Sequence, residues 1–277
     1  MAYQLIAFDM DGTLLDDEKR VRPSSARAIE RAVAAGRTVA ICSGRCPKMI
    51  ELNQESFSSV RYAICCNGTV LYDLHEHRVI SALPMPREVI VAALDALGAD
   101  DALIDAFQGP GFYCEGSQIE EMARYEMQIY QGMYRATAWQ VDDIRSVLLD
   151  EDAVFQKLIF HFVTPDARER FIARLGGVRA ELARSETASL EFSPAGVTKG
   201  TGLLALADLL GIEAAATIAV GDADNDIDML RVAGLGVAMG NANAGARAAA
   251  SVVVADNNHD GCAEAIDRYL LGGGGHS

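Results

Sequence analysis

No apolar run in this sequence reaches the about 18 residues that a membrane-crossing helix needs, so no span is expected. The N-terminus lacks a basic stretch ahead of its apolar residues and meets Asp9 early, which does not fit a secretory signal peptide. Positive charge is scarce: 24 Lys and Arg stand against 39 Asp and Glu, a net charge of −15. That sign argues against nucleic acid as a partner, and an anionic ligand would need positive charge gathered locally. The six cysteines (Cys42, Cys46, Cys65, Cys66, Cys114, Cys262) lack the spacing of a metal site or a disulfide framework. Cys65 and Cys66 are neighbours inside an apolar run, and the set reads as small core residues in a reducing cytosol. There is no internal repeat, and the one biased segment is the Gly-rich tail "GGGGHS", which reads as flexible.

What is present is 277 residues, half of them apolar, enough for roughly two domains. Near both ends of the chain, apolar β-rich runs alternate with helical patterns. "LIAF" ends at Asp9, "TVAIC" at Ser43, "YAICC" at Asn67-Gly68, "TIAVG" at Asp222 and "LGVAM" at Gly240. Between the first two, a helix is expected from about Ser24 to Ala35, with Gly36 as its C-terminal cap. These runs are continuously apolar, as in strands covered on both faces of a parallel sheet. The implied core is α/β, a doubly wound parallel sheet. In such sheets ligands bind beyond the carboxyl ends of the strands, so Asp9, Ser43-Gly44-Arg45, Asn67-Gly68 and Asp222 are expected to converge.

The middle has another character. A hairpin turning at Gly109-Pro110-Gly111 and the long run "VFQKLIFHFV" suggest an α+β domain at about 85–190, inserted between core segments 1–84 and 191–277, with Pro84, Pro86 and Pro194 at the junctions.

Chemistry concentrates in four places. "FDMDGTLLDD" (Phe8 to Asp17) puts Asp9 and Asp11 in one tight turn, where like charges resist joint ionisation. A plain Asp-Gly turn is the bland explanation. A calcium loop is excluded, because its sixth and twelfth positions require Gly and Glu and here hold Leu14 and Arg20. A divalent cation would allow the pair to stay ionised, with Asp9 as an oxygen nucleophile and Asp11 as a nearby proton donor. "GDADNDIDML" (Gly221 to Leu230) sets four aspartates in seven positions, more than helix capping needs, and again fails the calcium-loop test at Ile227 and Ala233. Asp222, at a strand end, suits Mg²⁺, with Asn225 and Asp226 around it. In "VTKGTGLLALADLLG", Thr198 caps a helix whose first turn carries Lys199, a cation placed against the helix dipole unless an anion such as phosphate sits there. Ser43, Gly44 and Arg45 end a strand and offer a hydroxyl, an amide and a guanidinium to a phosphoryl oxygen.

In this order, "FDMDGTLLDD", "ICSGR", "CCNGTVLYD", "LEFSPAGVTKGTGLLAL", "GDADNDIDML", "VAMGNA" and "DNNHDGCAEAI" resemble the haloacid dehalogenase superfamily, in its Cof-type phosphatase branch with a type IIB cap. The resemblance covers the whole core and implies roles. Asp9 is nucleophile and Mg²⁺ ligand. Asp11 is general acid/base and touches the metal through its main-chain carbonyl. Thr13 supports that geometry. Ser43 and Lys199 hold the phosphoryl group, Asp222 binds the metal, and Asn225 and Asp226 complete the site. Ser43 stands where many relatives carry Thr, which keeps the hydroxyl. Asn67 lines the crevice by analogy.

The expectation is a Mg²⁺-dependent phosphatase of small phosphorylated metabolites, such as sugar phosphates or pyridoxal phosphate, working through an aspartyl-phosphate. A phosphomutase or a phosphatase dedicated to one sugar phosphate is the near alternative. A receiver-like phosphate-accepting module is disfavoured, since Asp11 would discharge it. A dinucleotide enzyme lacks its G-x-G-x-x-G after the first strand. The core motifs serve only phosphate and metal, so the inserted domain is expected to close over the crevice and choose the leaving group. Its rings Phe107, Phe112, Tyr113, Tyr125, Tyr130, Tyr134 and Trp139 read mostly as its own core. Tyr113 and Glu115, past the hairpin turn, are the candidates for substrate contact.

Overall fold

The computed structural model describes residues 2–272, so the Gly-rich tail beyond Gly272 lies outside the described residues. Its strands, in chain order, are β1 (Leu5–Phe8), β2 (Thr38–Cys42), β3 (Tyr62–Cys65), β4 (Val70–Asp73), β5 (Arg78–Ala82), β6 (Ala102–Gln108), β7 (Gly111–Glu115), β8 (Trp139–Val141), β9 (Lys157–Phe162), β10 (Ala180–Ser185), β11 (Ser189–Pro194), β12 (Thr217–Gly221), β13 (Leu235–Ala238) and β14 (Val252–Val253). The chain separates into two compact units, one of residues 1–81 with 197–277 and one of residues 82–196.

The first unit is built on an eight-stranded sheet in the order β14-β13-β12-β1-β2-β3-β4-β5. From β14 to β3 every neighbouring pair is parallel, and β4 runs antiparallel to β3. β1 and β12 are buried at every residue, which explains their unbroken apolar sequences. Helix Pro23–Ala34 starts with Pro at its first turn and stops before Gly36, whose φ of +75° fits the left-handed exit. The register sets Phe8 opposite Ile41 on one side and Val220 on the other. Asp9, Ser43 and Asp222 therefore leave neighbouring strands at the same end of the sheet.

The second unit is a six-stranded sheet, β10-β11-β9-β6-β7-β8, antiparallel except for the β7–β8 pair. The β6–β7 hairpin pairs Gln108 with Gly111, so Gly109 and Pro110 form the turn. One sheet face carries Ile104, Ala106, Leu158, Phe160, Phe162, Leu190 and Phe192, packed with Val89, Leu94 and Phe171 from helices Arg87–Leu97 and Pro165–Leu175. Phe160 lies 5.1 Å from Phe171 and 5.4 Å from Phe192, centroid to centroid. The unit is wider at both ends than the 85–190 read from sequence. Met85 donates its amide to the Phe155 carbonyl at 2.7 Å, and β11 stays paired with β10 as far as Pro194.

Candidate functional site

β1 delivers Asp9 into a turn whose geometry requires glycine. Gly12 has φ +80°, and a Cβ there would strike the Asp222 carboxylate. That closeness lets the Thr13 hydroxyl donate to Asp222 Oδ1 at 2.7 Å. Two asparagines brace the turn from the far end of the chain: Asn241 donates to the Gly12 carbonyl at 2.8 Å and Asn257 to the Leu15 carbonyl at 3.0 Å. Both lie in motifs that the sequence shows plainly, yet no local pattern marks their side chains as braces. Asn241 follows Gly240 after β13, whereas Asn257 lies in a polar loop that carries no such mark.

Carboxylate oxygens of Asp9, Asp222 and Asp226 lie within 4.8 Å of one another. Lys199 reaches this cluster with a fully buried side chain, its Nζ 2.6 Å from Asp9 Oδ1 and 2.7 Å from Asp226 Oδ1. Asp226 is the most heavily engaged of the three. Its Oδ1 takes Lys199, and its Oδ2 takes the amides of Asp222 at 2.9 Å and Ala223 at 3.0 Å. Asp9 and Asp222 keep the most coordination capacity, and an all-oxygen set of this kind suits a hard cation.

The electrostatics agree with an over-supply of negative charge. Burial pushes the Asp9 carboxyl well above the usual range; Lys199 opposes this, and the neighbouring Asp226 and Asp222 add to it. Burial lifts Asp222 to about 6, with the Thr13 hydrogen bond pulling the other way. Burial works against the Lys199 ammonium, but the Asp226 and Asp9 carboxylates more than offset it and hold Lys199 charged.

Asp11 faces different partners. Arg45 grips it with two bonds, Nε to Oδ2 and Nη2 to Oδ1, both 2.8 Å. Lys19 adds a third, Nζ to Oδ1 at 2.8 Å, from a turn that Asp16 ties through the Glu18 and Arg20 amides. Burial would raise Asp11, but Arg45 and then Lys19 overcome it and keep the carboxyl below its usual range. Lys19 escaped the sequence reading, because a lysine in an exposed acidic loop carries no distinguishing pattern.

Ser43 is buried, its Oγ accepting the Arg45 amide at 3.2 Å, and Gly44 is half-buried beside it. The loop after β2 is pinned to the turn after β3, since the Asn67 amide donates to the Ser43 carbonyl at 3.1 Å and the Cys66 amide to the Arg45 carbonyl at 2.9 Å. Asn67 is buried in a left-handed conformation, φ +56°. Asn225 is exposed. In the second unit, Tyr113 leans on Trp139 at 5.0 Å and donates to Gln108 at 3.2 Å. Glu115 accepts the Ile144 amide at 3.1 Å, at the start of helix Ile144–Leu149.

Comparison with known proteins agrees with this architecture. The haloacid dehalogenase-like hydrolase family matches residues 6–266. Pyridoxal phosphate phosphatase YbhA of Escherichia coli (strain K12) is 31% identical, with 98% of this chain and all of that protein aligned. The 5-amino-6-(5-phospho-D-ribitylamino)uracil phosphatase YwtE of Bacillus subtilis (strain 168) is 29% identical over 96% of this chain and 98% of its own length. A solved subclass IIB sugar phosphatase of the same superfamily shares the fold at a TM-score of 0.80, with 24% identity, 96% of this chain and 98% of that one covered. The chain belongs to the haloacid dehalogenase-like hydrolase family and is one of its phosphomonoesterases.

Proposed function

We propose that this protein hydrolyses small phosphorylated metabolites through a phosphoryl group carried on Asp9. The observation that supports it most is the meeting of Asp9, Asp222 and the buried Lys199 beyond the carboxyl ends of β1 and β12. The named activities of the relatives, on pyridoxal phosphate and a phosphoribityl compound, favour a small soluble substrate. Among the described residues no helix is long and apolar enough to cross a membrane. Among the described residues all six cysteines are thiols rather than disulfides, as a reducing cytoplasm would keep them.

In this reading Asp9 Oδ attacks phosphorus while the ester oxygen departs with a proton from Asp11. Water then attacks the phosphoryl group on Asp9 and gives a proton to Asp11, which releases phosphate, frees the Asp9 carboxylate and returns Asp11 to its acid form. Lys199, the Ser43 hydroxyl and the Gly44 amide hold the phosphoryl oxygens, with Asn225 at the rim. Asp9, Asp222 and the Asp11 main-chain carbonyl are the groups that would hold Mg²⁺, which supplies neutralising charge between Asp9 and an anionic substrate. Thr13 and Asp226 keep Asp222 in place, and Asn67 backs the Ser43 loop. Asp11 donates only once it carries a proton, and Arg45 with Lys19 keeps it ionised. An arriving phosphoryl group competes for Arg45, and Asp11, released from that grip, takes up from solvent the proton that it then donates to the leaving oxygen. Discrimination between leaving groups falls to the residue 82–196 unit, with Tyr113 and Glu115 as the first positions to vary.

A panel of phosphorylated metabolites, assayed for phosphate release with Mg²⁺ and with excess chelator, tests this reading. Mg²⁺-dependent release from sugar phosphates or pyridoxal phosphate is expected. Undiminished release in chelator, or a clear preference for folded phosphoproteins, contradicts it.

A further inference from the structure

The helix Lys199–Leu209 begins in an unfavourable way. Gly200 and Gly202 occupy its first turn, where each is roughly 1 kcal/mol worse than alanine. The surroundings account for both. A Cβ on Gly202 would lie 2.6 Å from the Ile64 side chain and 2.7 Å from the Gly68 Cα. One on Gly200 would collide with the side chain and main chain of Asp228. The first turn is wedged between the turn after β3 and the start of helix Ile227–Val232, at a closeness that only glycine permits.

That neighbouring helix start holds two consecutive residues. Asp226 accepts from the Lys199 ammonium at 2.7 Å, and Asp228 accepts from the Thr198 hydroxyl. The same hydroxyl accepts the Thr201 amide at 3.2 Å. Thr201 Oγ1 in turn accepts the Thr198 amide at 2.9 Å and donates to the Thr198 carbonyl at 3.0 Å. The Gly202 amide also donates to that carbonyl at 3.0 Å. Amide, carbonyl and hydroxyl of Thr198 are thus all engaged, and Asp228 is the charged anchor of the network.

We propose that Asp228 is a positioning residue for Lys199, acting through Thr198 to fix the main chain from which the Lys199 side chain reaches Asp9. The proposal deepens, and rests on, the reading of Lys199 as a contact of the phosphoryl group. The bland role of Asp228 is an acid in the first turn of its own helix, favourable to the dipole by roughly 0.3–1 kcal/mol. The two roles separate on charge. Positioning needs a hydrogen-bond acceptor, which asparagine retains, whereas the dipole role needs the negative charge.

Kinetics on an activated phosphomonoester decide between them. Asp228→Ala and Thr198→Val each lose on the order of tenfold or more in kcat/KM, as expected when a reacting-site cation is displaced. The double variant loses no more than the worse single, because both break one link. Asp228→Asn and Thr198→Ser keep most of the turnover. Additive losses, or an Asp228→Asn as poor as Asp228→Ala, overturn the proposal. A crystal structure of Asp228→Ala gives a reading free of any reaction. Lys199 Nζ is expected to leave its 2.6 Å and 2.7 Å contacts, and an unmoved Lys199 overturns the proposal. Should the unaltered enzyme release no phosphate from any substrate, the proposed function fails, and this structure decides the role of Asp228 alone.

Discussion

The two units bury ionisable groups on different terms. In the second unit the buried acid Asp105 stands apart from other carboxylates and gathers its partners on Oδ2. Asp105 receives the Tyr134 hydroxyl at 2.6 Å and lies 3.0 Å from His161 Nε2, and His161 Nδ1 lies 2.6 Å from the Ser189 hydroxyl. Lys157 pairs with Glu191 at 2.7 Å. In the first unit the buried Lys199 serves Asp9 and Asp226 at once, with Asp222 close by. Acids balanced by partners read as architecture. Acids in excess are a state that a fold tolerates for a ligand, since an uncompensated buried charge is expensive. Burial therefore does not distinguish the two clusters; the number of carboxylates crowded around one cation does.

The largest expected contrast comes from removing one carboxylate in each unit. Asp9→Asn should abolish turnover and leave the metal-free fold at least as stable, because it relieves crowded negative charge. Asp105→Ala should do the reverse to stability. It strips the partner from His161 and Tyr134, and each buried polar group left without its hydrogen bond costs roughly 1–3 kcal/mol. Thermal melts in chelator, with initial rates beside them, check both; a strongly destabilised Asp9→Asn would erase the contrast.

A second test separates the two carboxylates of the first turn. Asp11→Asn should cripple turnover yet accumulate phosphorylated protein from a substrate with a good leaving group, because Asp11 moves protons and Asp9 makes the bond. High activity in Asp9→Asn beside an inert Asp11→Asn would reverse the roles.

The third effect is a pH dependence confined to the first unit. Asp222 titrates near 6 in the fold and at about 3.9 when unfolded. A raised carboxyl pKa stabilises the metal-free fold below the unfolded value, and that contribution disappears as pH rises through about 6. Mg²⁺ needs the deprotonated form. The thermal shift on adding Mg²⁺ should therefore be small at acidic pH and grow as pH passes about 6. A shift independent of pH over that window would mean that Asp222 is not a ligand.

The smallest effect concerns the braces. Asn257→Ala removes a buried donor from the Leu15 carbonyl and should lower stability by roughly 1 kcal/mol, with a modest loss of activity because the first turn loosens. No change in either measurement would show that the turn holds its shape unaided.

Much of the first unit is legible in sequence for a simple reason. "LIAF", "TVAIC", "YAICC" and "TIAVG" are covered on both faces, so they stand out as unbroken apolar runs, and the polar residue ending each marks the site edge. The sheet's flanks did not stand out. β14 has two residues, and β5 is mostly exposed, with no apolar face to read. Lys199 was visible as a cation at the wrong end of a helix, and its two carboxylate partners explain the placement. Lys19, Asn241 and Asn257 act through main-chain atoms or single contacts across the fold, which no local pattern encodes. Tyr113 and Glu115 stand out in sequence only by lying just past a turn, and the structure gives each of them a partner within its own unit.

The central claim is that the unbalanced acids at the strand ends carry a phosphoryl group on Asp9. Acid quenching during turnover with Mg²⁺, followed by peptide mass spectrometry, tests it most directly. The account predicts phosphate on the peptide containing Asp9, none in chelator and none in Asp9→Asn. Steady turnover with that peptide unmodified, or with phosphate on another residue, would contradict it.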